Sequence, residues 1–250
     1  MREGYEITSE DIEYFKSTRE LAYKGEAGRR RRDYSIEYTG TKKAVLDKVR
    51  QEAAAREARG EKYTCHKGCS LCCVQYIEAS VNECEVITCY LYDNMDVFFN
   101  FIEQYPIWRR KTERYGDPLS ACEQALVQLR KQGNISGAEQ VELDEKLLDY
   151  QTLNVPCPFL HNDICSIYEV QPYTCATHYV TGPAEFCSPF HPARPEIHRV
   201  PLTDDMRDLS LYGHKIKEPL IFSMPHTVYE ILCGGLLYIT RLTGLKIPDE

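Results

Sequence analysis

Four cysteines lie within nine residues of this chain, in the run CHKGCSLCC at residues 65–73. They are Cys65, Cys69, Cys72 and Cys73. Gly68 allows the backbone to turn between them, so four thiols can converge on one centre. Thiolate sulfur is a preferred ligand of zinc and of iron–sulfur clusters. The spacing therefore predicts a metal site that fixes the fold of the surrounding loop.

A second group of four cysteines lies far downstream, in a segment rich in proline. Residues 155–195 contain seven prolines and little helical periodicity, so something other than backbone hydrogen bonding has to hold them. The cysteines of this segment are Cys157, Cys165, Cys175 and Cys187. With the first run they make eight thiols, enough for two four-sulfur sites or for one cluster with additional sulfurs. The spacing leaves both arrangements open.

Three histidines and several apolar residues lie near these cysteines. The imidazole of His66, His161 or His178 could complete the site as a ligand, but we expect these histidines to be hydrogen-bonded within their loops. An apolar wall around the metal limits the access of water. The residues expected to form it are Phe159, Leu160, Ile167 and Tyr168.

The remaining four cysteines fall within predicted helices among apolar residues. Free cysteine often behaves as a small buried side chain, and we expect this of Cys84, Cys89, Cys122 and Cys233. The N-terminus has no apolar run that could act as a secretory signal. We therefore expect a cytoplasmic chain. In such a reducing compartment, clustered cysteines are metal ligands or redox centres more often than disulfides.

The charge balance limits the partners of the chain. Its 250 residues include 30 Lys and Arg against 38 Asp and Glu, a net charge of -8, whereas neutralising nucleic-acid phosphates needs a surplus of basic residues. The longest uncharged apolar stretch near the C-terminus, residues 231–240, is well short of the roughly 20 residues that span a bilayer. The sequence argues against nucleic acid and membrane as partners and leaves another protein as a candidate.

Apolar residues recur at helical spacing through most of the chain, and no alternating strand pattern or internal repeat is visible. The expected fold is mainly α, with irregular cysteine-rich loops that bind metal. Caps and breakers predict helices at about residues 9–24, 41–60, 80–105, 106–116, 117–133, 137–153 and 225–244. Residues 25–32, GEAGRRRR, are predicted as a flexible basic linker.

Three parts of the chain follow from this pattern. Residues 1–60 are predicted as an N-terminal helical extension that contains the basic linker. Residues 61–195 form the predicted cysteine-cluster metal-binding domain. Residues 196–250 are expected to form a C-terminal helical segment that packs on that domain.

The downstream segment carries the more specific motif. It has the sequence CPFLHNDICSIYEVQPYTC over residues 157–175. Together with CHKGCSLCC, it resembles the YkgJ/FliB-type CxxCxxCC cysteine-cluster family over about residues 60–190. The resemblance implies a zinc- or iron-chelating domain. The chain departs from the family pattern in having three residues between Cys65 and Cys69 and no arginine after Cys175.

Two further interpretations of the motifs concern catalysis. The C-x3-C-x2-C spacing also matches the radical-SAM motif, but the helical pattern after Cys73 disagrees with the α/β barrel of such enzymes. FliB relatives are associated with lysine N-methylation of flagellin, so the resemblance allows a cluster-dependent protein-modifying enzyme. No Gly-rich cofactor loop or paired-carboxylate site is identifiable, and the catalytic residues stay unknown.

Three hypotheses follow. The preferred one is a cytoplasmic metal-binding protein whose clustered cysteines hold a 4Fe-4S iron–sulfur cluster or zinc. The second is a cluster-dependent enzyme such as a FliB-like lysine N-methylase. The third is an interaction module in which zinc is purely structural.

Overall fold

The computed structural model describes residues 25–132, 136–201, 203 and 221–243, together with residues 9, 10, 13, 14 and 17. The helices in these ranges are α1 (Gly25–Ala58), α2 (Val81–Asp93), α3 (Met95–Thr112), α4 (Pro118–Gln132), α5 (Gly137–Thr152), α6 (Tyr173–Ala176) and α7 (Met224–Thr243). The strands are β1 (Glu78–Ser80), β2 (Leu160–His161), β3 (Ile164–Cys165), β4 (His178–Thr181), β5 (Glu196–Arg199) and β6 (Ile221–Ser223). They pair antiparallel as β1–β6, β2–β3 and β4–β5. The predicted mainly α fold is confirmed.

The long helix α1 corrects one prediction. Residues 25–32, predicted as a flexible basic linker, are the first turns of α1. Arginine is a good helix former, whereas each glycine in a helix costs about 1 kcal/mol of helix stability. Packing of one face of α1 on the core, farther along the helix, offsets this cost. That face recurs every three or four residues and comprises Ser35, Tyr38, Lys42, Val45, Leu46, Val49 and Ala53. The helix ends at Ala58, close to the predicted end at residue 60.

The capping box predicted at the start of α2 is confirmed. Ser80 Oγ accepts a hydrogen bond from Glu83 N, and the Glu83 carboxylate accepts one from Ser80 N. A second box of the same kind, formed by Ser136 and Glu139, begins α5. The predicted helices that begin near residues 117, 137 and 225 are present as α4, α5 and α7.

The single helix predicted over residues 80–105 is two helices in the structure. Asn94 leaves helical geometry, and its side-chain amide donates a hydrogen bond to Tyr90 O at 2.7 Å. Asparagine competes for backbone hydrogen bonds in this way, which ends α2. The helix predicted to begin at Pro106 is also wrong, because Pro106 lies inside α3. We attribute the continuation of α3 past the proline to the burial of Tyr105 and Trp108 against the core.

Helix α2 lies at the centre of the fold, packed against α1, α3 and α7, while α4 and α5 pair with each other. Helix α1 also contacts α6, so part of the predicted N-terminal extension touches the cysteine-bearing segment. Of the helix predicted over residues 9–24, the five described residues are helical and the others lie outside the described residues. Nowhere in the described ranges does a helix have the length and apolar character needed to cross a membrane.

Candidate metal centre

The first cysteine run lies in the loop between α1 and β1, where tight turns bring its thiols together. Cys69 N donates to His66 O at 3.0 Å and Cys73 N donates to Ser70 O at 2.9 Å. Gly68 has φ of 95°, a backbone conformation that other residues rarely adopt. The predicted turn at this glycine is therefore present.

The downstream cysteines meet this loop through direct backbone and side-chain contacts. Cys157 N donates to Cys73 O at 2.8 Å, which joins two cysteines from distant parts of the sequence. Ser70 Oγ donates to Asp163 Oδ1 at 3.0 Å, in the turn between β2 and β3. These bonds hold the two cysteine-bearing segments against each other.

One cavity of about 210 Å³ lies between the two segments. Seven of the eight predicted ligands line it, namely Cys65, Cys69, Cys72, Cys73, Cys157, Cys165 and Cys175. The eighth, Cys187, is buried nearby in a short 3₁₀ turn over Ala184–Cys187 and is not part of the lining. His66 and His178 also line the cavity, whereas His161 is exposed on β2 and lies outside it.

The cavity wall matches the prediction in its apolar part and adds residues that the sequence did not indicate. All four predicted wall residues line the cavity, and they are Phe159, Leu160, Ile167 and Tyr168. The lining also includes Ile77, Gln171, Tyr179 and Met224. Met224 reaches the cavity because its N–H donates to Ile77 O at 2.9 Å beside the β1–β6 ladder. No pattern in the sequence links residues 77 and 224, so this part of the wall was missed.

Burial is the main influence on the acidity of these thiols. It raises the pKa of five of them, Cys65, Cys157, Cys165, Cys175 and Cys187. For Cys165 and Cys187 the pKa rises to about 11. Charge repulsion from Cys72 adds to the rise in all five, which places Cys72 within electrostatic range of both cysteine segments. Burial therefore favours the protonated thiol at these five positions, and a nearby cation would favour the thiolate form.

Backbone N–H groups lower the pKa at three of the thiols, which opposes the effect of burial. Cys157 and Cys165 each interact with the backbone N–H two residues farther along the chain, and Cys65 interacts with that of Val180. Each hydrogen bond lowers the pKa of its thiol because it stabilises the thiolate. Such bonds to sulfur are a feature of iron–sulfur sites, where they tune the reduction potential.

The thiols share a cavity without forming a finished coordination sphere. Among the described residues, no group of three or more His, Cys, Asp or Glu side chains has the arrangement needed to hold a metal ion. All twelve cysteines lie in the described ranges, and none of them is in a disulfide.

The four cysteines predicted as apolar side chains are separate from the cavity. Cys84, Cys89 and Cys122 are buried, and Cys233 packs against the core from a partly buried position. Cys122 Sγ donates to Lys146 O at 3.1 Å, a contact between α4 and α5. These four residues therefore serve as internal controls for the cysteines of the cavity.

No family model, curated protein or solved structure matches this chain significantly. The resemblance to the YkgJ/FliB-type family thus rests on the two cysteine motifs.

Proposed function

We propose that this chain is a cytoplasmic metal-binding protein whose clustered cysteines hold an iron–sulfur cluster, with zinc as the alternative metal. The observation that carries the proposal is the convergence of seven thiols, from two segments more than 80 residues apart, on one cavity. Thiols dispersed at random in a core would have no reason to line the same space.

The residues around the cavity fit a thiolate-bound metal. The three backbone N–H contacts at Cys65, Cys157 and Cys165 stabilise thiolate, although burial disfavours it. A cation in the cavity would remove that conflict, because metal binding releases the thiol proton and replaces it by a positive charge. The apolar wall formed by residues such as Phe159 and Ile167 would keep water from the metal.

The size of the cavity favours a cluster over one ion. A structural zinc ion is held by four ligands with Zn–S distances of about 2.3 Å, and one such ion would occupy little of a cavity of about 210 Å³. Seven lining thiols also exceed the four that one tetrahedral ion takes. A 4Fe-4S cluster, or two adjacent centres that share Cys72, uses both the space and the sulfurs more fully.

The test is anaerobic purification followed by metal and sulfide analysis and an absorption spectrum. We expect iron, sulfide and a broad absorption band at about 400 nm, which is typical of a thiolate-bound cluster. Stoichiometric zinc without sulfide would favour the structural-zinc interaction module. No bound metal after anaerobic isolation or reconstitution would overturn the proposal.

Serine variants distinguish ligands from other cysteines. Cys69→Ser and Cys165→Ser, one from each segment, should lose metal. The matched control is Cys122→Ser, which changes a buried cysteine outside the cavity whose contact with Lys146 O a hydroxyl can replace. Equal metal content in all three variants would contradict the ligand assignment.

A further inference from the structure

A lysine is completely buried beside the cysteine cavity. The side chain of Lys42, on α1, is 0% exposed, and its Nζ donates to Glu83 Oε1 at 2.8 Å. Lysine is almost never fully buried unless it is paired. A buried ion pair is also weak evidence for stability, because the cost of removing both charges from water offsets their attraction. The pair therefore calls for an explanation other than stability.

The Glu83 carboxylate contacts three separate segments of the chain. Its Oε1 accepts from Lys42 and from Tyr173 N, the latter at 2.9 Å, and its Oε2 accepts from Ser80 N and Ser80 Oγ. Lys42 Nζ also lies 4.6 Å from the centre of the Tyr173 ring. One buried carboxylate thus joins α1, the start of α2 and the start of α6.

Helix α6 depends on this contact because it cannot cap itself. It has four residues, and Pro172 at its N-cap provides no side-chain hydrogen bond. The first N–H groups of a helix have no partner within the helix, and a single turn is marginal by itself. Glu83 accepts the first of these N–H groups from 90 residues away in the sequence. Cys175, which lines the cavity, is the third residue of this turn.

We propose that Glu83, held by Lys42, is a positioning residue for Cys175, because it fixes the start of α6 and thereby the direction from which this sulfur approaches the metal. The inference rests on the proposed function. It goes beyond it by assigning a role in metal retention to two charged residues that are not ligands. Partners that orient metal ligands typically change metal affinity about 10–100-fold when they are mutated.

The test variant is Glu83→Gln, which keeps the shape of the side chain but removes the charge and one acceptor oxygen. The matched control is Glu139→Gln in the exposed capping box of α5, which has the same local chemistry far from the cavity. If Glu83→Gln fails to fold, the double variant Lys42→Met with Glu83→Gln replaces it, because it leaves no unpaired buried charge.

Each full-length variant is loaded anaerobically with cobalt(II), and two quantities are measured: the rate of cobalt loss to a chelator and the sulfur-to-cobalt charge-transfer absorption per bound cobalt. We expect the Glu83 variants to lose cobalt about 10–100 times faster and to absorb less per cobalt, since Cys175 no longer ligates it fully. The Glu139→Gln control should match the wild type within about twofold. The absorption per cobalt in folded protein would not change if Glu83 only stabilised the fold.

The two proposals fail in different ways. Wild-type protein that binds neither cobalt nor, after anaerobic reconstitution, iron and sulfide overturns both the proposed function and this inference. Where it binds only iron and sulfide, the rate of iron loss to the chelator is compared among the same variants in place of cobalt loss. Wild-type protein that binds cobalt while the folded Glu83 variants match it in release rate and absorption overturns the inference alone.

Discussion

The helical region, α2 to α5, and the cysteine region, residues 59–77 and 153–200, are held together in different ways. The helices begin at local signals such as Ser80, Ser136 and Pro118, and they pack through apolar side chains. The cysteine region has strands of two to four residues and one short α-helix. Its short turns and hairpin are held against one another by contacts between residues that are distant in sequence. The difference shows that one chain can combine a fold set by local signals with a site set by long-range contacts.

Helix α1 makes several of those long-range contacts. Arg50 Nη2 donates to Tyr168 O at 3.1 Å, and its guanidinium lies 4.7 Å from the centre of the Tyr168 ring. Lys43 pairs with Glu169 at 3.0 Å on the surface. Together with Lys42, these side chains place three cations of one helix against the segment between Cys165 and Cys175. Side chains of α1 thus hold the outer surface of the cysteine region, and on our proposal a bound metal holds its interior.

Removal of the metal should produce the largest difference between the two regions, in the rate of amide hydrogen exchange. Thiolate–metal binding in small sites contributes on the order of 10 kcal/mol, so we expect amides of residues 155–187 to exchange hydrogen much faster once a chelator has taken the metal. Amides of α4 and α5 should keep their protection, because these helices pair with each other and none of their residues lines the cavity. Hydrogen-exchange mass spectrometry before and after anaerobic chelation measures both. Equal changes in the two regions would contradict the comparison.

The next largest effect should come from an aromatic contact between the two regions. Phe159 is 1% exposed, and its ring stacks on that of Phe101 in α3 at 4.3 Å. Truncation of a buried Phe to Ala typically costs about 3–5 kcal/mol, so Phe159→Ala should lower the free energy of unfolding by that amount in urea titration. Phe190→Ala, at a 65% exposed position in the same region, should change it by less than about 0.5 kcal/mol. A small effect at Phe159 would mean that the regions unfold independently.

The sequence predicted what depends on neighbours along the chain. The capping box of Ser80 and the helix start at Pro118 depend on residues within one turn, and both were confirmed. The end of α2 at Asn94 was missed, because apolar spacing continues across it. The linker prediction for residues 25–32 failed for a similar reason, since glycine and arginine composition does not reveal the buried face farther along α1.

For the candidate site, cysteine clustering predicted the seven thiols that line the cavity, together with Cys187, which does not line it, and the apolar residues of the downstream motif predicted part of the wall. It could not predict Glu83, which lies 41 residues from Lys42 and 90 from Tyr173. Its Ser-x-x-Glu pattern is the same as that of Glu139, yet one carboxylate is buried among three segments and the other is exposed. The motif is the same in both places, and only the burial of Glu83 distinguishes it from Glu139, which acts as a helix cap alone.

The smallest expected effect concerns electrostatics within the helical region. Arg109 donates two hydrogen bonds to Asp117, which with bonds from Ser120 lower the pKa of Asp117 to about 2. A depressed pKa stabilises the fold above the unfolded value, about 3.9, and this contribution is lost as the pH falls towards 2. The pair is partly exposed, so screening should keep the contribution below about 1 kcal/mol.

Asp117→Asn tests this contribution without a change in backbone preference, because asparagine also tolerates the positive φ of 53° at this position. Urea midpoints of wild type and variant should differ most between pH 5 and 7 and converge as the pH is lowered towards 2. A gap that stays constant or widens on acidification would show that the charge of Asp117 does not stabilise the fold. The stability of the helical region would then come from packing and helix caps. This would sharpen its contrast with the cysteine region, which the cationic side chains of α1 contact.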